Sequence, residues 1–458
     1  MGEDVSNRTA PVVRKKGPRR WITSFLGDGR ATVATVVALA IVPLAIAAGV
    51  AIDVGRAVAA RTSLRTALDA AALAAAQEKS EAAALATVER YLRANYEASR
   101  WGALSGFSVR QGELTLAVDA RATVPTTLLR VLGVREIEVG AEAEVTVGGA
   151  NLEVALVLDV TGSMAQGTRI ADLRAAATDL VNIVVRDVQA PFYSKVAIVP
   201  YSMGVNVGTL ADTVRGPVRA GTCTTPGCSF ITFKNVFNKD RTFAVSTCVS
   251  ERIGPHAYTD APPSTARVGY NYPAPDNPCL TSQIQPLTTD RTLLTARIAS
   301  LTASGSTAGH VGIAWGWYTL SPNFGVWTGT SVPASYADPD TRKILVLMTD
   351  GEYNSSYCNG VISRTSTTGS GSRENHINCD APNGHSFDQA QALCTAIKRT
   401  GITIFTVGFQ IHNDPRARDL MSRCASSAEH AFTAETGAEL RATFQQIAKR
   451  ISKLRLSR

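Results

Sequence analysis

The sequence predicts an α/β protein: a mainly parallel sheet between helices, preceded by one transmembrane helix and a small α+β unit. Three observations lead there. An apolar run near the N-terminus carries no charge, short alternating strand-like runs follow it, and from Asn151 near-continuous apolar runs alternate with amphipathic stretches. With 458 residues, 45% of them hydrophobic, the chain is long enough for two or three domains with sizeable cores.

The run from 31 to 52, ATVATVVALAIVPLAIAAGVAI, rises about 1.5 Å per residue as a helix and so spans about 30 Å of hydrocarbon. The helix-favouring DVGRAVAARTSLRTALDAAALAAAQ follows directly, which favours a retained anchor over a cleaved signal, although AIA or GVA would suit a signal peptidase. Residues 1–30 form a basic tail. Arg8, Arg14, Lys15, Lys16, Arg19, Arg20 and Arg30 outweigh Glu3, Asp4 and Asp28 and supply half of the formal charge of +8. Juxtamembrane charge accounts for this basic balance without nucleic acid and places the N-terminus in the cytoplasm. Arg19 and Arg20 fit a twin-arginine export signal poorly, because the residues after them depart from that pattern.

The eight cysteines, Cys223, Cys228, Cys248, Cys279, Cys358, Cys379, Cys394 and Cys424, all follow the span, as disulfides in an oxidising compartment would. Spacing leaves their pairing open. A zinc site on Cys223 and Cys228 with Cys248 and Cys279 is the alternative for four of them. Cys394 and Cys424 lie on either side of the strand-like ITIFTVGF, and a bridge between them is expected.

From 53 to 150 the expected elements are a helix reaching about Tyr96, a hairpin around Gln111-Gly112, a short helix in VPTTLLRVLG, a strand in IEVGAEAEVTV and a linker at Gly148-Gly149-Ala150. From 151 to 458, LEVALVLDV, KVAIVPYS, KILVLMTD and ITIFTVGF read as strands buried on both faces. The helical stretches TRIADLRAAATDLVNIVVRDV, FDQAQALCTAIKRT and TGAELRATFQQIAKRI cover them. Residues from about 210 to 285 and 352 to 386, rich in Cys and Pro or in Ser, Thr, Gly and Asn, read as insertions in which disulfides replace a core.

In open α/β sheets, ligands gather outside the carboxyl ends of the strands. There the chain places Asp159, Thr161 and Ser163, two apart in an extended loop with Gly162 permitting a bend, then Thr307 in GST and Asp350 in KILVLMTDG. Two carboxylates and three hydroxyls, without thiolate or imidazole, suit Mg2+, or Mn2+ or Ca2+ under other conditions, and leave a position for a partner's carboxylate. The competing reading makes Asp159 a helix cap or turn residue. A phosphotransferase would need a second carboxylate where Val160 and Thr161 stand, and Ser163 lacks a G-x-S-x-G elbow, so an enzyme is not expected. Of the six histidines only His310 falls near the set, in a supporting or solvent-facing role. Trp315, Trp317 and Tyr318 are expected to pack a helix on the sheet, and RATFQQIAKRISKLRLSR to be an amphipathic helix with a solvated basic face.

Asp159, Thr161 and Ser163, with Thr307 and the Thr349-Asp350-Gly351 turn, resemble the metal-ion-dependent adhesion site of von Willebrand factor type A domains. GRATVATVVALAIVPL and the alanine-rich helix after it are similar to the N-terminal region of TadE/TadG-like proteins of tight-adherence (Flp) pilus systems, and the two stand in the order of the TadG-like group. The resemblance implies a Rossmann-like type A domain over 151–458 and magnesium held by Asp159, Thr161, Ser163, Thr307 and Asp350. It also implies a membrane-anchored periplasmic binding protein of the bacterial inner membrane, acting in pilus assembly or surface adhesion. Its partners would be proteins offering a carboxylate to the cation, other pilus-assembly components among them. The alternatives are a structural envelope protein whose type A fold holds no metal, and a metal-dependent hydrolase. Thr161 stands where serine is commoner and keeps an oxygen. Ala34 stands where a prepilin peptidase substrate would carry glutamate, so processing is not expected.

Overall fold

The computed structural model describes residues 29–76, 78, 80–112, 115–146 and 149–456; the basic tail, save its last two residues, lies outside them. They form two compact units, one up to residue 148 and one from 149.

In the first unit, helix α1 (Gly29–Ala75) runs unbroken for 47 residues. Its first half leaves Val36, Leu39, Val42 and Leu44 exposed, whereas Ala57, Ala60, Leu64, Ala67, Leu68, Ala71 and Ala75 recur every third or fourth residue as a buried stripe. It is long and apolar enough to cross a membrane, with a mean hydropathy of 2.4 in the stretch from Val36. Rather than continuing to Tyr96, the helix ends near residue 76. Ser80 caps a second helix, α2 (Glu81–Asn95), by accepting the Ala83 N–H.

Three antiparallel strands, β1 (Ala103–Gln111), β2 (Thr115–Pro125) and β3 (Glu136–Thr146), pack against these helices. The hairpin expected at Gln111-Gly112 joins β1 to β2. Leu116, Val118, Ala120, Ala122 and Val124 alternate into the core, as a half-buried strand requires. VPTTLLRVLG yields the end of β2 and a single 3-10 turn, Leu129–Leu132, in place of a short α-helix.

The second unit is built on a six-stranded sheet whose central strands are β4 (Asn151–Asp159), β5 (Ser194–Tyr201), β7 (Thr341–Thr349) and β8 (Thr403–Phe409). The edge strands are β6 (Gln285–Thr288) and β9 (Ala431–Ala434), and the spatial order is β6-β5-β4-β7-β8-β9. Only β6 runs antiparallel to its neighbour. From β4 the chain builds outward to β5 on one side and returns as β7 on the other, so the topological switch lies between β4 and β7.

Helices α3 (Arg169–Val184), α4 (Arg291–Ala299), α5 (Gly309–Leu320), α6 (Ser386–Arg399), α7 (Pro415–Cys424) and α8 (Gly437–Leu456) complete the mixed α/β arrangement. Helix α8 buries Leu440, Phe444, Ile447, Ala448 and Ile451, while exposed Arg441 pairs with Asp179 of α3. Every residue of α5 is buried, and Trp315 and Tyr318 meet edge to face at 5.5 Å, the packing role expected of them.

The cysteines pair in sequence order as Cys223–Cys228, Cys248–Cys279, Cys358–Cys379 and Cys394–Cys424, so the zinc alternative for the first four gives way to disulfides. The insertions also have a core, contrary to expectation, because they share one. Ile231, Phe233, Phe243 and Tyr272 from the first pack with Val361 and Ile377 from the second. The Cys394–Cys424 bridge ties α6 to α7 across 30 residues, and a closed loop of that length is worth about 3–4 kcal/mol in chain entropy. The Cys394→Ser, Cys424→Ser double variant should lose about that much in urea unfolding; an unchanged midpoint would show that buried packing alone holds the helices.

Candidate metal centre

The candidate residues stand where three neighbouring strands end. Asp159 closes β4 opposite Tyr201 of β5, and Leu158 pairs with Met348, which brings Thr349 and then Asp350 alongside. Asp159 is fully buried. Its Oδ1 accepts the Thr161 N–H at 3.0 Å and the Thr161 hydroxyl at 2.6 Å. Its Oδ2 accepts the Thr349 hydroxyl at 2.8 Å and that of Tyr201 at 3.2 Å. Thr161 Oγ1 lies 2.8 Å from Ser163 Oγ, which donates to Asp350 Oδ1 at 2.6 Å. Asp159, Thr161, Ser163 and Asp350 thus form one continuous row of oxygens.

That row is short of a proton. It contains three close oxygen–oxygen contacts, while Thr161 and Ser163 supply one hydroxyl hydrogen each. With both carboxylates ionised, both hydrogens point outward to them and the central contact has none. A proton retained on Asp159 completes the chain, because Asp159 then donates to Thr161 Oγ1 and the Thr161 hydroxyl turns to Ser163, and the electrostatics agree: burial, then the nearby charge of Asp350, push its carboxyl up to about 7 against the opposing hydrogen bonds. Burial also raises Asp350, opposed by the Ser163 hydrogen bond and by Arg169. Arg169, the first residue of α3, holds Nη1 2.9 Å from Asp350 Oδ2 and brings one positive charge to two carboxyl groups. A divalent cation would supply the missing charge. The donors fit it: all are hard oxygens, and their 2.6–2.8 Å separations fall a few tenths short of the roughly 3.0 Å between adjacent oxygens of a magnesium octahedron.

Ser163 reaches the row by a turn rather than an extended loop. Thr161 is extended, and a 3-10 turn, Gly162–Ala165, follows. Gly162 serves close approach rather than a sharp bend: its N–H donates to Gly305 O at 2.8 Å, and a Cβ there would stand 3.3 Å from that oxygen. This contact docks the loop that carries Thr307. Ser304 N–H bonds Val160 O at 2.9 Å, and Asn354 Oδ1 accepts the Thr307 N–H at 2.9 Å. Thr307 is buried, yet among the described residues no hydrogen bond joins its hydroxyl to the other four.

The sequence reading missed Arg169, Tyr201, Asn277 and Asn354. Asn277 in the first insertion accepts the Ser306 N–H at 2.9 Å, so both insertions brace the Thr307 loop. Tyr201, Asn277 and Asn354 carried no local signal, since each reaches the site through strand register or a loop from elsewhere, whereas Arg169 opens the helix that follows the Ser163 turn and its nearness in sequence was the available signal. His310, expected in a supporting or solvent-facing role, is fully buried with Nε2 3.4 Å from Glu251 Oε2, which excludes the solvent-facing role. Among the described residues no group of three or more His, Cys, Asp or Glu is placed to hold a metal, so any cation here depends on the hydroxyls.

Residues 29–78 match the family described as "Putative Flp pilus-assembly TadE/G-like". No curated protein matches the chain. Among solved structures the chain is similar to the pilus adhesin SpaC from Lactobacillus rhamnosus GG, at 13% identity and a TM-score of 0.37, covering 76% of this chain and 34% of that one. It is also similar to the von Willebrand factor domain of the type V pili tip protein Mfa5 from Porphyromonas gingivalis, at 14% identity and a TM-score of 0.38, covering 68% and 97%. A third is a von Willebrand factor type A protein from Catenulispora acidiphila, at 13% identity and a TM-score of 0.29, covering 76% and 49%. The chain spans about a third of the length of the first and half of the third.

Proposed function

We propose that this chain is a membrane-anchored binding protein in which a divalent cation, held by Asp159, Thr161, Ser163, Thr307 and Asp350, presents positive charge to a carboxylate of a protein partner. The observation that carries the reading is the row of closely spaced oxygens from Asp159 to Asp350 at the switch point of the sheet. Magnesium is the cation we infer, with manganese and calcium as alternatives, and the role of the bound ion is that of a Lewis acid for an incoming oxygen ligand. The chain's own residues prepare the place: Tyr201 and Thr349 orient Asp159, Arg169 balances Asp350, and Asn354 sets the Thr307 backbone. The match over 29–78 supports a setting in Flp pilus assembly or adhesion. In this reading residues 31–52 cross the bacterial inner membrane once, the basic tail of 1–30 is cytoplasmic, and 53–150 followed by a type A domain over 151–458 is periplasmic.

Calorimetric titration of the full-length protein in nanodiscs with magnesium chloride tests the site. Wild type should give saturable heat, Asp159→Ala and Asp350→Ala should give none, and Arg169→Gln should bind more tightly because its charge no longer competes for Asp350. Identical heats in all four proteins would remove the metal and leave a structural envelope protein with a metal-free fold. Phosphoester turnover that depends on Asp159 would instead establish the hydrolase.

A further inference from the structure

We propose that the turn from Thr127 to Val134 is a lipid-facing wedge, its apolar side chains seated at the headgroup and acyl boundary of the bilayer that α1 crosses. The proposal rests on the reading of 31–52 as a span. The turn joins β2 to β3 with the sequence TLLRVLGV, and Leu128, Val131, Leu132 and Val134 are 44%, 83%, 53% and 43% exposed. A strand-connecting turn in water is ordinarily polar. Here four large apolar side chains share one tip.

The turn is also tied to α1 at a definite depth. The Asp53 carboxylate accepts the N–H groups of Thr127, Leu128 and Leu129 at 3.0, 2.8 and 2.7 Å, and Arg56 Nη1 donates to Thr127 Oγ1 at 3.0 Å. Leu128 rests on Gly49, where a Cβ would come within 2.6 Å of the leucine Cβ. Asp53 is the first residue past the charge-free run, and Gly49 lies three residues inside it, about 5 Å deeper along the helix. If the run is in hydrocarbon up to Ile52, Leu128 is beside hydrocarbon too. Exposed Ile46 and Ile52 of α1, each three residues from Gly49, extend the same apolar surface.

The polar groups suit that depth. Three N–H donors satisfy the Asp53 carboxylate, as a buried acid near lipid demands. Exposed Arg130 lies within the apolar tip and exposed Arg135 directly after it, and such side chains are long enough to reach phosphate while their stems stay in the apolar zone. Amphipathic surface segments sink about 5–10 Å into this boundary. The wedge would fix the depth at which α1 leaves the membrane.

Photocrosslinking in the full-length protein in phospholipid nanodiscs tests this. Benzoylphenylalanine replaces Val131, Val42 in the span, or Leu85, which is 44% exposed on α2. Phospholipid adducts read by mass spectrometry are expected at Val42 and Val131 and are lost at Leu85. Adducts at Val42 without any at Val131 would overturn the wedge and leave the span standing. Adducts at neither would overturn both, and crosslinks from Val131 to another protein would make the tip a protein-docking surface instead.

Discussion

With chelator present, Asp159 is expected to take on the order of 2–3 kcal/mol of stability from the wild type between pH 5 and pH 8, a loss much smaller in Asp159→Asn. The Asp159 carboxyl is held near 7 in the folded chain against 3.8 ordinarily, so the folded state keeps a proton that the unfolded chain has already released. Stability from this group therefore falls as pH rises from about 4 to 7 and stays low above that. Asp179, Asp338 and Asp380 are held below their usual value, so their contribution is lost only as pH falls through the acid range. His376, His385 and His430, lowered chiefly by burial, favour the folded state at higher pH. These groups are common to both proteins, whereas Asp350 is raised by burial beside Asp159 and feels its charge, so the difference between the two profiles reports the Asp159–Asp350 pair. Denaturant midpoints at pH 5, 6, 7 and 8 measure it, and magnesium should restore the wild type at pH 8 but not the variant. Parallel profiles would refute the retained proton.

Gly312→Val is expected to cost about 3 kcal/mol or more and to weaken magnesium binding with it. Helix α5 lies close on the sheet because glycines face it: a Cβ at Gly312 would stand 2.6 Å from the Tyr201 ring, and one at Gly316 2.4 Å from Val157 Cγ2. Neither helix nor sheet has free volume to yield, since Tyr201 and Val157 are fully buried. Displacing Tyr201 also breaks its hydrogen bonds to Asp159 and to Met348 O, at 3.2 and 3.0 Å. Gly55→Ala, where nothing lies within 4 Å of the added Cβ, is the control and should leave the midpoint unchanged or higher. Equal midpoints for Gly312→Val and Gly55→Ala would mean that α5 can back away from β4 and β5 without loss.

The strands of the second unit were legible because an apolar run too short for a helix and bounded by turns has few other uses. Two of the runs nevertheless hide a charge near their start. Glu153 near the start of β4 and Lys343 near the start of β7 are buried as a pair, which strand register alone brings together. The core that residues 210–285 and 352–386 share was not legible, since Phe233 and Ile377 are far apart in sequence and meet only when the sheet positions both segments. VPTTLLRVLG was misread because its apolar residues look like a helix face; the Asp53 carboxylate instead holds the backbone in a single turn.

By itself the sequence determined whatever is settled over a few residues: the charge-free apolar run that opens α1, the alternation of β2, and the placing of Asp159, Thr161 and Ser163 together at the end of β4. Backbone geometry decides these before any distant contact forms. The tertiary structure decided which charges meet. Asp350 joins Asp159 through the pairing of Met348 with Leu158, and Arg169 swings onto it from α3. Only there do two carboxyl groups, one fully buried, meet in one row of ordinary oxygens, the arrangement on which the proposed cation site rests.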